Sequence, residues 1–98
     1  MLSFPSKAIA EGNFLPFNFL STLPAGVMLS SAIATCAVES GIDASSSSLI
    51  TTAVVTSPIV KVPTVAGQGV SGVIYKITVL ATGSDSKLYS LSGILAVL

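Results

Sequence analysis

The side chains that could carry acid–base chemistry or bind a metal ion are few in this sequence. They are the four acidic residues Glu11, Glu39, Asp43 and Asp85, because the 98-residue chain contains no histidine. Acidic residues that share one end of a β-domain can bridge a calcium ion, but calcium loops are dense in oxygen ligands and no such loop surrounds these four. We therefore expect solvated turn residues, and we expect neither a metal nor any other cofactor.

The thiol of Cys36 is the remaining candidate for chemistry. It is the only cysteine, so no intrachain disulfide can form and the chain is compatible with a reducing cytoplasm. A nucleophilic cysteine needs a neighbouring base, commonly histidine, whereas free cysteine is among the most buried residue types. We expect Cys36 to be a core residue. Since no phosphate-binding loop or Gly-x-Ser-x-Gly motif is present either, the sequence predicts that the protein is not an enzyme.

Charged residues make up only 8% of the chain, against about 25% in ordinary soluble proteins. The basic residues are four lysines that lie far apart, at Lys7, Lys61, Lys76 and Lys87. Nucleic-acid binding draws on clustered basic side chains, so we expect no nucleic-acid partner. A folded domain with so few charges leaves apolar surface to be covered by a membrane or by other protein subunits.

A membrane-spanning segment must be weighed between Gly12 and Val38, where no residue is charged. Pro16 and Pro24, together with several polar residues, leave no unbroken apolar run of about 18 residues. The first seven residues also lack the basic start and apolar stretch of a signal peptide. We therefore expect no membrane association and no export, and retain a small membrane protein only as an alternative.

The clearest structural signal is alternation over residues 72–82. The odd positions from Val73 to Ala81 are apolar, and Lys76, Thr78 and Thr82 are polar, which predicts a strand with one buried face. Tyr75 follows a glycine-rich turn at the start of this strand. Immunoglobulin-like sandwiches place a tyrosine corner there, in which the hydroxyl bonds to upstream backbone, and the position two residues later, here Ile77, packs in mid-core.

Five other stretches predict strands, at 14–19, 28–38, 49–56, 59–65 and 87–98. We expect Met28 and Cys36 to share one face of the second of these, and Gly93 to mark a bulge in the last. The four serines at 45–48 predict an exposed connection. No segment has a sustained helical repeat. The sequence therefore predicts an all-β fold, a small immunoglobulin-like Greek-key β-sandwich of about seven strands over residues 14–98.

Residues 1–13 show little periodicity and predict an N-terminal arm. This arm carries Leu2, Phe4 and Ile9, which an isolated soluble domain has little reason to leave in water. We expect these three side chains to pack against a neighbouring subunit, so that the arm is mobile in the free protein and ordered after assembly.

Several segments in order resemble a known family: Phe-Asn-Phe at 17–19, Leu-Pro-Ala-Gly at 23–26, a Ser-Ser-Ala strand ending in Glu-Ser-Gly at 39–41, and Gly-x-x-Gly-x-x-Tyr at 69–75. The chain resembles the small immunoglobulin-like virion proteins of tailed bacteriophages, including fibre-tail adaptors and tail-associated proteins. This resemblance implies a multi-copy structural part, made in the host cytoplasm and located in the virion. Its partners would be further copies of itself and other virion proteins such as the tail tube, adaptor or fibre. The alternatives are a capsid decoration protein and a cell-surface adhesion module.

Overall fold

The computed structural model describes residues 2–4 and 6–98, with only the backbone of Leu2. This part of the chain contains a short 3-10 helix (Ser46–Leu49), no α-helix and seven strands, which confirms the predicted all-β class. The strands are β1 (Leu2–Ser3), β2 (Phe14–Asn18), β3 (Leu29–Ser40), β4 (Val54–Thr56), β5 (Ile59–Pro63), β6 (Ile74–Gly83) and β7 (Leu88–Ala96).

These strands form two sheets. One has the order β1-β7-β6-β3 and the other the order β2-β5-β4. All pairings are antiparallel except that of β1 with β7, which is parallel. Both sheets contribute buried side chains to a common hydrophobic cluster. The arrangement is therefore consistent with a β-sandwich.

The alternation predicted for residues 73–81 is confirmed. Its five apolar positions, which include Tyr75 and Ile77, are at most 5% exposed, whereas the intervening positions are half-buried or exposed. Cys36 lies directly opposite Ile77 on β3 and is buried in the same cluster. Residues directly opposite each other share a face of a sheet, so Cys36 occupies the core position expected for it.

The register of β3 differs from the prediction at its start. Met28 precedes the strand and is 62% exposed, and Leu29 is buried in its place. The pairing with β6 shifts between Leu29 and Ser31. An extra residue in one strand reverses which side chains face inward, and the sequence pattern alone did not reveal this bulge.

Gly93 was expected to mark a bulge, and this expectation is wrong. The pairing of β7 with β6 runs without a shift through Ile77 and Gly93. A β-carbon at Gly93 would collide with the ring of Phe4. Glycine is therefore needed at this position because an aromatic ring from another segment lies directly against the backbone.

Residues 49–56 were predicted as one strand, but only Val54–Thr56 is a strand. Leu49 belongs to the 3-10 helix and is fully buried. The serine run that precedes it forms local hydrogen bonds, with Ser48 Oγ donating to the Ser45 carbonyl at 2.7 Å and Ser46 Oγ donating to the Cys36 carbonyl at 3.3 Å. After this helix, Ile50 pairs with Thr64 in an isolated antiparallel bridge, and regular strand pairing begins at Val54.

The N-terminal segment, which the sequence predicts to be an arm, is hydrogen-bonded in the structure to the larger sheet of its own chain. β1 pairs with β7 at Gly93 and Ile94. The amides of Phe4 and Lys7 donate to the carbonyls of Ile94 and Ala96, at 3.0 and 2.9 Å. Backbone groups of the segment thus pair with the edge of β7 that β6 leaves free. The side-chain pattern of the segment does not predict this pairing, because only backbone groups take part in it.

Candidate interaction surface

The acidic residues do not come together. Asp43 lies beside Tyr75 at the start of β6, and Asp85 follows Gly83 at its end, so a strand of ten residues, about 33 Å at the usual rise, separates them. Among residues 2–4 and 6–98 no group of three or more potential metal ligands is present. Asp43 and Asp85 therefore do not share one end of the molecule.

The hydroxyl of Tyr75 makes the corner bond expected from the sequence and a second bond that was not expected. The amide of Val70, five residues upstream, donates to it at 2.8 Å, and the hydroxyl donates to Asp43 Oδ2 at 2.6 Å. Asp43 Oδ1 accepts from the Ser45 amide at 2.8 Å. The Tyr75 side chain thus connects the turn before β6 with the loop after β3, and Asp43 is a partner of the corner rather than a solvated turn residue.

These contacts shift the titration of both groups. The hydrogen bond from Tyr75, followed by that from the Ser45 amide, lowers the pKa of Asp43. Burial and, next, the hydrogen bond to Asp43 raise the pKa of Tyr75 to about 12. At neutral pH the pair is therefore a neutral phenol bound to a carboxylate, a charge-assisted bond that is stronger than one between two neutral groups.

The thiol of Cys36 is protonated at neutral pH. Burial first and the nearby Asp43 carboxylate second raise its pKa to about 11. Because the thiolate is the reactive form, this environment makes Cys36 inert. Cys36 borders a cleft of about 680 Å³ between β3 and residues 50–53, in which no side chain is charged. The cleft can make apolar contacts and hydroxyl hydrogen bonds, but the residues lining it supply no general acid or base.

Phe4 is the residue through which the N-terminal segment reaches the core. Its ring lies edge-on to that of Phe17, with centroids 5.2 Å apart, and covers the backbone of Gly93. Ile9, by contrast, is 38% exposed, and the Leu2 side chain lies outside the described atoms. Of the three side chains predicted to contact a neighbouring subunit, Phe4 is therefore packed within its own chain, and the assembly role of Ile9 stays a prediction.

Lys7 is a buried residue that the sequence did not single out. The side chain is fully buried, and its ammonium donates to the carbonyls of Ala8, Ile9 and Gln68 at 2.9 to 3.0 Å. Burial lowers the pKa of Lys7, and the Glu11 carboxylate opposes this effect. Three carbonyl oxygens match the three ammonium protons, so Lys7 fastens the N-terminal segment to the turn before β6.

Large apolar side chains remain exposed on the outer side of the larger sheet. Ile33 on β3 is 67% exposed, Leu80 on β6 is 42% exposed, and Leu88 on β7 is 64% exposed. Ile33 lies directly opposite Leu80, and Leu88 pairs with Thr82 on the same side. We name this surface, formed by the outward side chains of β3, β6 and β7, the apolar sheet face.

A second exposed apolar region lies at one end of the molecule, where residues 19–28 connect β2 to β3. Leu20 and Met28 are each more than 60% exposed there. They border a cleft of about 590 Å³ that also contains Leu23, Pro24 and Pro58. Among the described residues, neither of these two apolar surfaces, one on a sheet and one at an end, is accompanied by a cluster of charges.

Comparison with known proteins leaves both surfaces unassigned. No model of a known protein family matches this chain, and no curated protein sequence matches it. In the described ranges 2–4 and 6–98, the structure contains no helix of the length and apolar character required to cross a bilayer.

Proposed function

We propose that this chain is a non-enzymatic structural subunit that works in many copies, and that its place is the virion of a tailed bacteriophage, in the tail or at the fibre attachment. The observation that carries the structural part is the pair of exposed apolar surfaces on a chain with only 8% charged residues. Contiguous apolar surface on a small domain marks contact with other proteins. The phage assignment rests on the sequence resemblance described above.

We further infer an immunoglobulin-like Greek-key arrangement. In such domains one sheet contains the strands C, F and G in that spatial order, and the other contains B, E and D. The pairings β3-β6-β7 and β2-β5-β4 follow this order. The bond from the Val70 amide to Tyr75 near the start of β6 also agrees with the tyrosine corner of that fold. β1 departs from the constant-type pattern, because it pairs with β7 and not with β2.

The multi-copy role is tested by expressing the chain alone and measuring its mass by light scattering over a range of concentrations. We expect a soluble oligomer of defined mass. A monomer at every concentration would contradict self-association, and recovery only in detergent would favour the membrane alternative.

The virion role needs a separate measurement. Mass spectrometry of purified phage particles from the source of the gene should detect peptides of this chain at several copies per particle. Their absence from the particles, combined with display of the protein on the cell surface, would support an adhesion module instead.

A further inference from the structure

The apolar sheet face has a composition unusual for a surface left in water. Ile33, Leu80 and Leu88 are its exposed apolar side chains. Among the described residues, Lys76 is the one charged side chain at the outward positions that are paired in register, and Glu39, at the bulge near the end of β3, is also exposed. The remaining outward positions are small or hydroxyl-bearing residues and two half-buried isoleucines. Small side chains allow a second flat surface to approach closely.

Some hydroxyl groups of this face already have partners within it. Thr78 Oγ1 and Ser92 Oγ are hydrogen-bonded across β6 and β7 at 3.2 Å. Ser30 Oγ, at the edge of the face, donates to the Thr82 carbonyl at 3.0 Å. Burying a polar group is costly mainly when it loses hydrogen bonds to water and gains none. The free energy needed to remove water from this face is therefore smaller than its serine and threonine content alone suggests.

The size of the face lies at the lower limit for a specific interface. Its strands contain 12, 10 and 9 residues. At the usual strand rise and spacing they cover about 490 Å², so two copies would bury about 1,000 Å², the area that a specific protein pair should reach.

The other exposed regions are too small for this purpose. The strands of the smaller sheet contain 5, 5 and 3 residues, which gives an outer face of only about 230 Å². An end of the molecule offers a 20 by 20 Å cross-section, and contact between two such ends would bury about 800 Å², the size of a crystal-packing contact.

The positions of the charged side chains indicate which partner can bind to the apolar sheet face. Lys76 and Leu80 lie on β6 four residues apart, about 13 Å at the usual rise. If two copies met across a twofold axis that passes Leu80 and runs perpendicular to β6, their lysines would lie about 26 Å apart on opposite sides, roughly three Debye lengths at physiological salt. A second copy therefore brings no like charges together and needs no complementary acidic patch. A twofold contact is also the commonest form of self-association.

We propose that two copies of this chain associate through the apolar sheet face, across a twofold axis that lies close to Leu80 and perpendicular to β6. This inference rests on the proposed multi-copy role and names its contact surface. The pairing places Leu80 against its counterpart and covers Ile33, the most exposed large apolar side chain on the strands of the face.

The first experiment compares charge substitutions on and off the face. Ile33→Lys and Leu80→Lys should each raise the dimer dissociation constant about 100-fold or more in sedimentation and light scattering, since a symmetric contact buries every added charge twice. Ile42→Lys is the matched control, because Ile42 is 88% exposed and lies beyond the end of β3. It should leave the dissociation constant unchanged. Circular dichroism checks that all three variants fold.

The second experiment avoids added charge. Leu80→Cys should form a disulfide-linked dimer under mild oxidation, whereas Ile42→Cys should not, and the buried Cys36 leaves the wild type unlinked. Dimers of unchanged affinity in both lysine variants, or a Leu80→Cys protein that does not cross-link while the wild type is oligomeric, would overturn this inference alone. A wild-type chain that is monomeric throughout would overturn the proposed multi-copy role as well.

Discussion

Two tyrosine–aspartate hydrogen bonds lie at opposite ends of the molecule, and they differ in burial and in the sequence separation of their partners. Tyr75 is fully buried and bonds to Asp43, which is 32 residues away in sequence. Tyr89 is half-buried and donates to Asp85 at 2.8 Å, only four residues away within the 83–88 hairpin. The chemical groups are the same, but one bond joins two distant loops and the other closes one turn.

This difference shows how context decides the value of a hydrogen bond. The Tyr75 hydroxyl also accepts the Val70 amide, so its loss would leave a part-buried backbone donor and a carboxylate without their partner. The Asp85 carboxylate also accepts the Lys87 amide, but water can replace its partners in the exposed hairpin. We therefore expect the first pair to hold the fold together and the second to contribute little.

The largest difference in stability should come from a charge placed in the core near the buried tyrosine. Ile77→Asp should abolish folding, because an unpaired carboxylate in the core costs several kcal/mol, comparable with a small domain's total stability of about 5 to 15 kcal/mol. Lys76→Asp, on the outward side of the same strand, should remain folded. Urea unfolding measures both. Equal disruption by the two substitutions would contradict the register of β6.

The corner itself should give the next largest effect. Tyr75→Phe should lower the free energy of unfolding by about 1 to 3 kcal/mol, because it leaves the Val70 amide unpaired and removes the bond to Asp43. Tyr89→Phe is the matched control and should change the melting temperature little. Thermal melts of the two variants test the comparison directly. If both lost the same stability, burial would not distinguish the two pairs.

Titration distinguishes the two tyrosines by their pKa values. In Tyr89→Phe the remaining Tyr75 should ionise at a pKa of about 12, above the ordinary value of about 10. Its folded pKa is raised, so the associated stability is complete below about pH 10 and is lost as the pH rises towards 12. The hydrogen bond to Asp85 also raises the pKa of Tyr89. Tyrosinate absorbance follows each group, and a Tyr75 that ionised like the unfolded chain would refute the buried pair.

The smallest effect is expected from the exposed carboxylate. Asp85→Asn should shift the melting temperature only slightly, and Asp43→Asn should shift it more. The hydrogen bonds from the tyrosines lower the pKa of both carboxylates. Their stabilisation is therefore present above the unfolded pKa and is lost as the pH falls through the folded one. The two asparagine variants should accordingly become alike in acid. A difference that persisted there would have to arise from packing.

Local signals in the sequence predicted the parts of the fold that depend on near neighbours. Alternation predicted the buried face of β6, and the glycine-rich turn before Tyr75 predicted its bond to upstream backbone. Contacts between distant segments were missed: neither Asp43 beside Tyr75 nor Phe4 over Gly93 has a signature within a short window. The apolar sheet face was also not predicted. Alternation shows which residues of a strand point away from the core, but not which of them remain exposed to solvent.

The hydrogen bonds of the Lys7 ammonium affect how the protein can be labelled chemically. Its ammonium is enclosed and donates all three protons to carbonyl oxygens, so amine-reactive reagents should modify Lys61, Lys76 and Lys87 long before they reach it. Acylation of Lys7 requires the N-terminal segment to separate from the sheet. The rate of that one modification therefore reports how often the segment opens, and a fluorophore coupled through amines will leave its attachment undisturbed.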